Sequence, residues 1–368
     1  MRSTCWLLIQ LCFVIRVGSG QETSVEQLFR AAVQEQQRGD LADAIREYRG
    51  VLEREPKMVE ARVNLGAALA DSGQYDEAIK EYVVALPLAL SKKPVLMNIA
   101  RAYYKKGDLQ KAREHLQEVH QMYPADQEVS VRLASINLEA HVPAEAVALL
   151  QPLDPANQQN QDFQYLYSSA LIANGQPQQG VPRLEKLGAL AKRADAYLLA
   201  GSTLLRYDHP FEARDDLEAA LKLDPHLPGI YSLVGQARQI TQDDHGAELA
   251  FREELKDEPE DFQANLGLGT VLYKRRELRE GQRYLENALR LHPENPTAQY
   301  QLAMLKSAGG QYERAVEDLE KISKDNPDWL PPHLELAKLY YKLHRTEEGL
   351  RERALADKLT EQQQQRGK

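Results

Sequence analysis

The sequence predicts an all-α protein built from stacked helix pairs, a solenoid in place of a single globular core. Three observations predict it. Alanine, leucine, glutamate, glutamine and arginine, all good helix formers, are abundant. A phrase of small and apolar residues returns every 34 residues along most of the chain, which marks a repeat architecture. Two positions within that interval are small in every copy, as expected where helix axes approach closely.

The period is visible by eye. Asn64-Leu65-Gly66-Ala67-Ala68-Leu69 is followed by Gly73-Gln74-Tyr75-Asp76-Glu77-Ala78, and 34 residues later Asn98-Ile99-Ala100-Arg101-Ala102-Tyr103 is followed by Gly107-Asp108-Leu109-Gln110-Lys111-Ala112. In this register the repeats begin at residues 25, 59, 93, 127, 161, 194, 228, 262, 296 and 330. The eighth position is Ala32, Gly66, Ala100, Ala134, Ser168, Gly201, Gly235, Gly269, Ala303 and Ala337. The twentieth is alanine or glycine throughout, from Ala44 and Ala78 to Gly349.

Each repeat reads as two helices. Apolar residues at helical spacing, such as Leu96, Ile99 and Tyr103, mark the first. A polar turn follows, often with glycine, as at Lys105-Lys106-Gly107-Asp108. The second helix carries position 20 and a bulky residue at position 24, for example Tyr48, Tyr82, Leu116 or Phe251. Proline at position 32 in six repeats, from Pro56 to Pro327, stops it.

This pattern resembles the tetratricopeptide repeat family over residues 25 to about 361. Period, small positions, bulky position 24 and proline all agree. The family's aromatic preference at position 4 is poorly kept, with Leu28, Arg62, Leu96 and Ser130 in the first four repeats, so several repeats are degenerate. The resemblance implies a right-handed superhelical solenoid of about ten helix-turn-helix repeats, with first helices lining a concave face. It also implies a protein or peptide partner on that face, at positions 2, 5, 6, 9, 12 and 13.

The first twenty residues read differently. Arg2 supplies a positive start, Cys5 to Ile15 is apolar apart from Gln10, and Gly18-Ser19-Gly20 offers small residues at a cleavage site. This is a signal peptide over residues 1–20. An uncleaved anchor would need roughly twenty apolar residues to span a bilayer. An exported protein, periplasmic or secreted, is therefore expected. Both cysteines, Cys5 and Cys12, lie in this segment, so the mature chain has no thiol chemistry.

The domain reading is four repeats over 25–160, six over 161–361 and a polar tail over 362–368, expected to fray. Repeats four and five suggest the division. Pro152 cuts a second helix short, residues 154–162 read as a polar connector, and Pro182 falls inside the next second helix.

Function classes narrow quickly. A formal charge of −9 disfavours nucleic acid. No phosphate-binding glycine loop, nucleophile elbow or zinc-protease motif occurs. Asp243-Asp244-His245 falls where an inter-helix turn belongs. The repeats occupy nearly the whole chain, so the expectation is no enzyme, no cofactor and no metal. The groove positions in the middle of the chain give Met97, Arg101, Tyr104, Lys105, Val131, Arg132, Leu138, Tyr165, Ile172, Leu198, Leu205 and Arg206. They form an apolar track with basic residues beside it, suited to an extended or helical segment of some acidic character. The lysine–asparagine clamp of chaperone-binding members is missing, since Phe29 and Val33 stand where it requires lysine and asparagine. The expected function is a scaffold in an extracytoplasmic compartment. The alternatives are a self-assembling structural repeat protein or an accessory subunit of an envelope enzyme or export complex.

Overall fold

A computed structural model describes residues 24–366; the expected signal peptide lies outside the described residues. Among them are twenty α-helices and two short 3₁₀ helices. Contacts divide the chain into two compact units, Met1–Leu150 and Gln151–Lys368.

In the first unit the helix pairs are α1 (Ser24–Arg38) with α2 (Leu41–Arg54), α3 (Val59–Asp71) with α4 (Tyr75–Ala85), α5 (Lys92–Lys106) with α6 (Leu109–Met122), and α7 (Gln127–Glu139) with α8 (Pro143–Leu150). A 3₁₀ turn, Leu86–Leu88, follows α4. The second unit opens with a 3₁₀ helix, Gln151–Ala156. Then come α9 (Gln161–Ala173) with α10 (Pro177–Ala191), α11 (Ala194–Arg206) with α12 (Pro210–Leu223), and α13 (Ile230–Ile240) with α14 (Asp244–Asp257). The last pairs are α15 (Phe262–Lys274) with α16 (Leu278–Leu291), α17 (Pro296–Ala308) with α18 (Tyr312–Asp325), and α19 (Leu330–Lys342) with α20 (Thr346–Arg366).

The small positions explain the pairing. Position 8 of a first helix meets position 24 of its partner helix. A Cβ on Gly66 would stand 2.6 Å from the Tyr82 ring, and one on Gly235 would stand 2.5 Å from the Phe251 ring. Such separations are far below the ~3.5–4.0 Å of ordinary carbon contacts, so the bulky side chain fills the space the small one vacates. Tyr48 and Phe251 are fully buried as a result. Burial also pushes the Tyr48 hydroxyl up to about 12, because the phenolate would lose its water.

Capping follows the sequence locally. Asp126, Asn160, Asp261 and Asn295, each just before a first helix, accept a backbone N–H from the first turn. The turn inside each pair uses one left-handed residue at position 15. It is Gly39, Gly73, Gly107, Gly175 and Gly310 in five repeats, and His141, Asp208, Gln242, Arg276 and His344 in the other five. That residue lets the chain reverse so that a backbone N–H closes onto the preceding helix end, as Asp243 N does on Arg238 O at 2.8 Å.

Two local expectations change. The connector at 154–162 is partly ordered as a 3₁₀ turn, because Arg183 and the Gln164 amide both hold the Asp154 carboxylate. Pro182 does not delay its helix: α10 runs from Pro177 to Ala191 with Pro182 inside it, at the loss of one backbone donor. The last helix, α20, is the longest and runs on through the polar end to Arg366.

Within each unit, second helices pack between the first helix of their own repeat and that of the next. First helices also touch across repeats: α1, α3 and α5 in the first unit, and α9, α11, α13, α15 and α17 in the second. First helices therefore form the inner row of each unit, and second helices the outer one.

Candidate functional site

In the first unit the expected residues stand on α5 and α7. Met97 is half-buried, wedged against the apolar clusters on both sides of α5. Val131 and Leu138 are half-buried on α7. Arg101 donates to Asp71 of α3 at 3.1 Å. The Tyr104 hydroxyl donates to Glu139 of α7 at 3.0 Å, and this bond, with some burial, raises its pKa. Arg132 bonds Glu128 one turn earlier at 3.0 Å, while Lys105 is exposed. The basic track is thus half answered from within the fold. Two of its four cations, Arg101 and Arg132, already face a carboxylate, so the expected pull on an acidic segment is reduced.

In the second unit Tyr165 lies half-buried under the Arg193 guanidinium, 4.8 Å from the ring centroid, and burial raises its pKa. Arg193 is held in place by Asp195 at 2.6 Å and Asp162 at 2.9 Å. Leu198 and Leu205 on α11 rest half-buried against the cluster around Leu217 and Ile230. Arg206 is exposed at the end of α11. Ile172 is a correction. It is 6% exposed in the core beneath α10, and a Cβ on Gly180 would stand 2.6 Å from its side chain. Glycine at position 20 draws Ile172 inward, away from any ligand.

Sequence reasoning stopped at α11 and missed the inner faces of α13, α15 and α17. The same register positions carried forward give Leu233, Gln236, Leu266, Tyr273, Tyr300 and Gln301. All six are half-buried, the state of side chains that cover a core yet still meet solvent.

The turn at Asp243-Asp244-His245 has structural work. Asp243 caps α14 and Asp244 accepts from Lys274 at 2.8 Å. Among the described residues no three His, Cys, Asp or Glu gather as metal ligands, and no helix is long and apolar enough to cross a membrane.

Two sequence-family models, both described as tetratricopeptide repeat, match residues 94–170 with 272–332 and residues 29–89, together more than half of the chain. The chain belongs to the tetratricopeptide repeat family. This tetratricopeptide repeat protein is 24% identical over 298 residues to Protein CTR9 homolog of Arabidopsis thaliana, covering 79% of the chain and 25% of that relative. It therefore spans a quarter of the relative's length. A tetratricopeptide repeat protein of Parabacteroides merdae ATCC 43184 shares the fold, with a TM-score of 0.51, 18% identity, and coverage of 63% of this chain and 92% of that one. MamA of Desulfovibrio magneticus RS-1 aligns with a TM-score of 0.41 and 22% identity, over 46% of this chain and 96% of its own. Tetratricopeptide repeats bind peptides or proteins and typically serve as non-enzymatic interaction scaffolds.

Proposed function

We propose that the protein is an exported, non-enzymatic scaffold that holds protein segments along the inner faces of its first helices. The observation that carries this reading is the contact between successive first helices within each unit. It brings their half-buried apolar and polar side chains into a row that an extended segment or helix can follow. Export is supported by Arg2, the apolar run Cys5 to Ile15 and the small residues before Gln21. The negative net charge supports a protein partner over nucleic acid.

The test is crosslinking in intact cells, followed by mass spectrometry of the attached peptides. Crosslinks from the first helices to one recurring extracytoplasmic protein are expected. Crosslinks confined to cytosolic proteins would refute export, and an absence of any partner on the inner rows would refute the scaffold.

A second reading has its own observation. Val83 and Val84 at the end of α4, with Leu88 and Leu90 just after it, are all exposed, Leu90 completely. Exposed apolar patches mark association surfaces, and the self-assembly reading assigns this one to a second copy. Light scattering should then show a concentration-dependent oligomer that Leu90→Glu abolishes; a monomer at all concentrations removes this reading.

A further inference from the structure

We propose that the inner faces of α13, α15 and α17 form a receptor for an uncharged, extended protein segment, held by amide hydrogen bonds and apolar contacts without ion pairing. This rests on the scaffold reading above and specifies its partner.

The first support is charge. Across α13, α15 and α17, positions 2, 5, 6, 9, 12 and 13 contain a single charged residue, Lys274. Its ammonium is already answered by Asp244 at 2.8 Å. The corresponding face of the first unit differs, with Asp71, Arg101, Glu128, Arg132 and Glu139 all on α3, α5 or α7. A charged side chain docking on the neutral stretch would lose water and meet no opposite charge, which is costly. An uncharged segment meets no such penalty.

The second support is hydrogen bonding. Gln236 on α13 and Gln301 on α17 are half-buried, and among the described residues neither side-chain amide has a partner. Other glutamines are committed: Gln36 to Tyr48, Gln164 to Asp154, and Gln299 to the Pro293 carbonyl. A glutamine amide both donates and accepts, and so does each peptide unit of an extended chain. Packed helices stand ~8–10 Å apart, and an extended strand advances ~3.3 Å per residue. One first helix is therefore passed every three residues or so.

The third support is apolar. Leu233 and Leu266 are half-buried on α13 and α15. Tyr273 on α15 and Tyr300 on α17 are half-buried too; Tyr300 rests against Trp329, ring centroids 5.2 Å apart, and burial pushes its hydroxyl up to about 12, so it stays a neutral phenol. Leucine and tyrosine beside the two amides offer apolar surface to aliphatic side chains and leave the amides for the backbone.

The experiment uses the full chain and immobilised short peptides in three sets: neutral sequences of leucine, serine, threonine and glutamine, and the same sequences with acidic or basic residues inserted. Binding is read by fluorescence at low and high salt. The neutral set should be preferred, with affinity nearly independent of salt. Leu266→Arg should weaken it about tenfold or more, whereas Lys80→Glu, exposed on the outer helix α4 of the other unit, should leave it unchanged. Gln236→Glu, isosteric and gentle on folding, should reproduce the loss, with circular dichroism confirming that both variants are folded. Preference for a charged set, or neutral binding unaffected by both variants, overturns the inference. In-cell crosslinks to a recurring partner would then still support the scaffold. If no set binds and no partner is crosslinked, both readings fall.

Discussion

Phe251 sits in a socket with glycine on two sides. Gly235 belongs to its own repeat and Gly267 to the next, and a Cβ on either would stand 2.5 or 2.3 Å from the ring. Alanine at Gly267 is a revealing perturbation because two effects oppose each other. Mid-helix alanine is favoured over glycine by about 1 kcal/mol, so propensity alone predicts a more stable protein. The socket predicts the reverse. Phe251 is fully buried, and a ring displaced from Gly267 is driven toward the Gly235 side. Overpacking of this kind costs about 1–3 kcal/mol, and the second wall places it toward the upper end. Gly267→Ala should therefore be destabilised by about 1–2 kcal/mol net of propensity. Phe251→Leu frees the space at its own cost of about 1–2 kcal/mol. The double variant should then be more stable than the sum of the two singles by about 1 kcal/mol or more. Urea midpoints followed by circular dichroism give all four corners of the cycle. Additivity within ~0.5 kcal/mol, or a stabilised Gly267→Ala, would refute the socket.

Asp216 is buried on α12, with one carboxylate oxygen lacking a partner. Burial foremost, then Glu185 and Asp215, raise its pKa from 3.8 to about 7. A raised carboxyl opposes the fold only when ionised. The penalty is absent below about pH 4, grows between about pH 4 and 7, and is constant above. Asp216→Asn should therefore gain stability over the parent progressively across that window, reaching on the order of 2–4 kcal/mol in alkaline buffer; a pH-independent difference in urea midpoint would count against it. Arg276 holds φ 67 at position 15, where five repeats use glycine. Left-handed geometry costs an ordinary residue about 1–2 kcal/mol, and glycine's extra chain entropy returns about half of it. Arg276→Gly should stabilise by about 0.5 kcal/mol, and Gly107→Ala, at φ 89 in open space, should destabilise by about 1 kcal/mol. A midpoint shift of the opposite sign in either variant would refute the assignment of that turn.

The sequence by itself determined the repeat unit. Small residues at positions 8 and 20, bulk at 24 and proline at 32 record contacts within a repeat. Those contacts recur every 34 residues, so repetition makes them legible. The helices begin where that register begins, at Val59, Gln127, Gln161, Ala194, Phe262, Pro296 and Leu330. What it left open concerns meetings between particular side chains of different helices. Half of the left-handed turn residues are not glycine, so composition could not show a conformation that backbone closure imposes. Arg101 and Arg132 read as free cations until the fold placed Asp71 and Glu128 beside them. Ile172 read as groove until Gly180 opened space beneath α10. Nothing in the register marked Gly267 until the fold made it a wall of the Phe251 socket. Helix formation and pairing depend on local pattern, which one period contains. The charge and openness of a face depend on which long side chains reach across to a neighbour, and only the tertiary structure decides that.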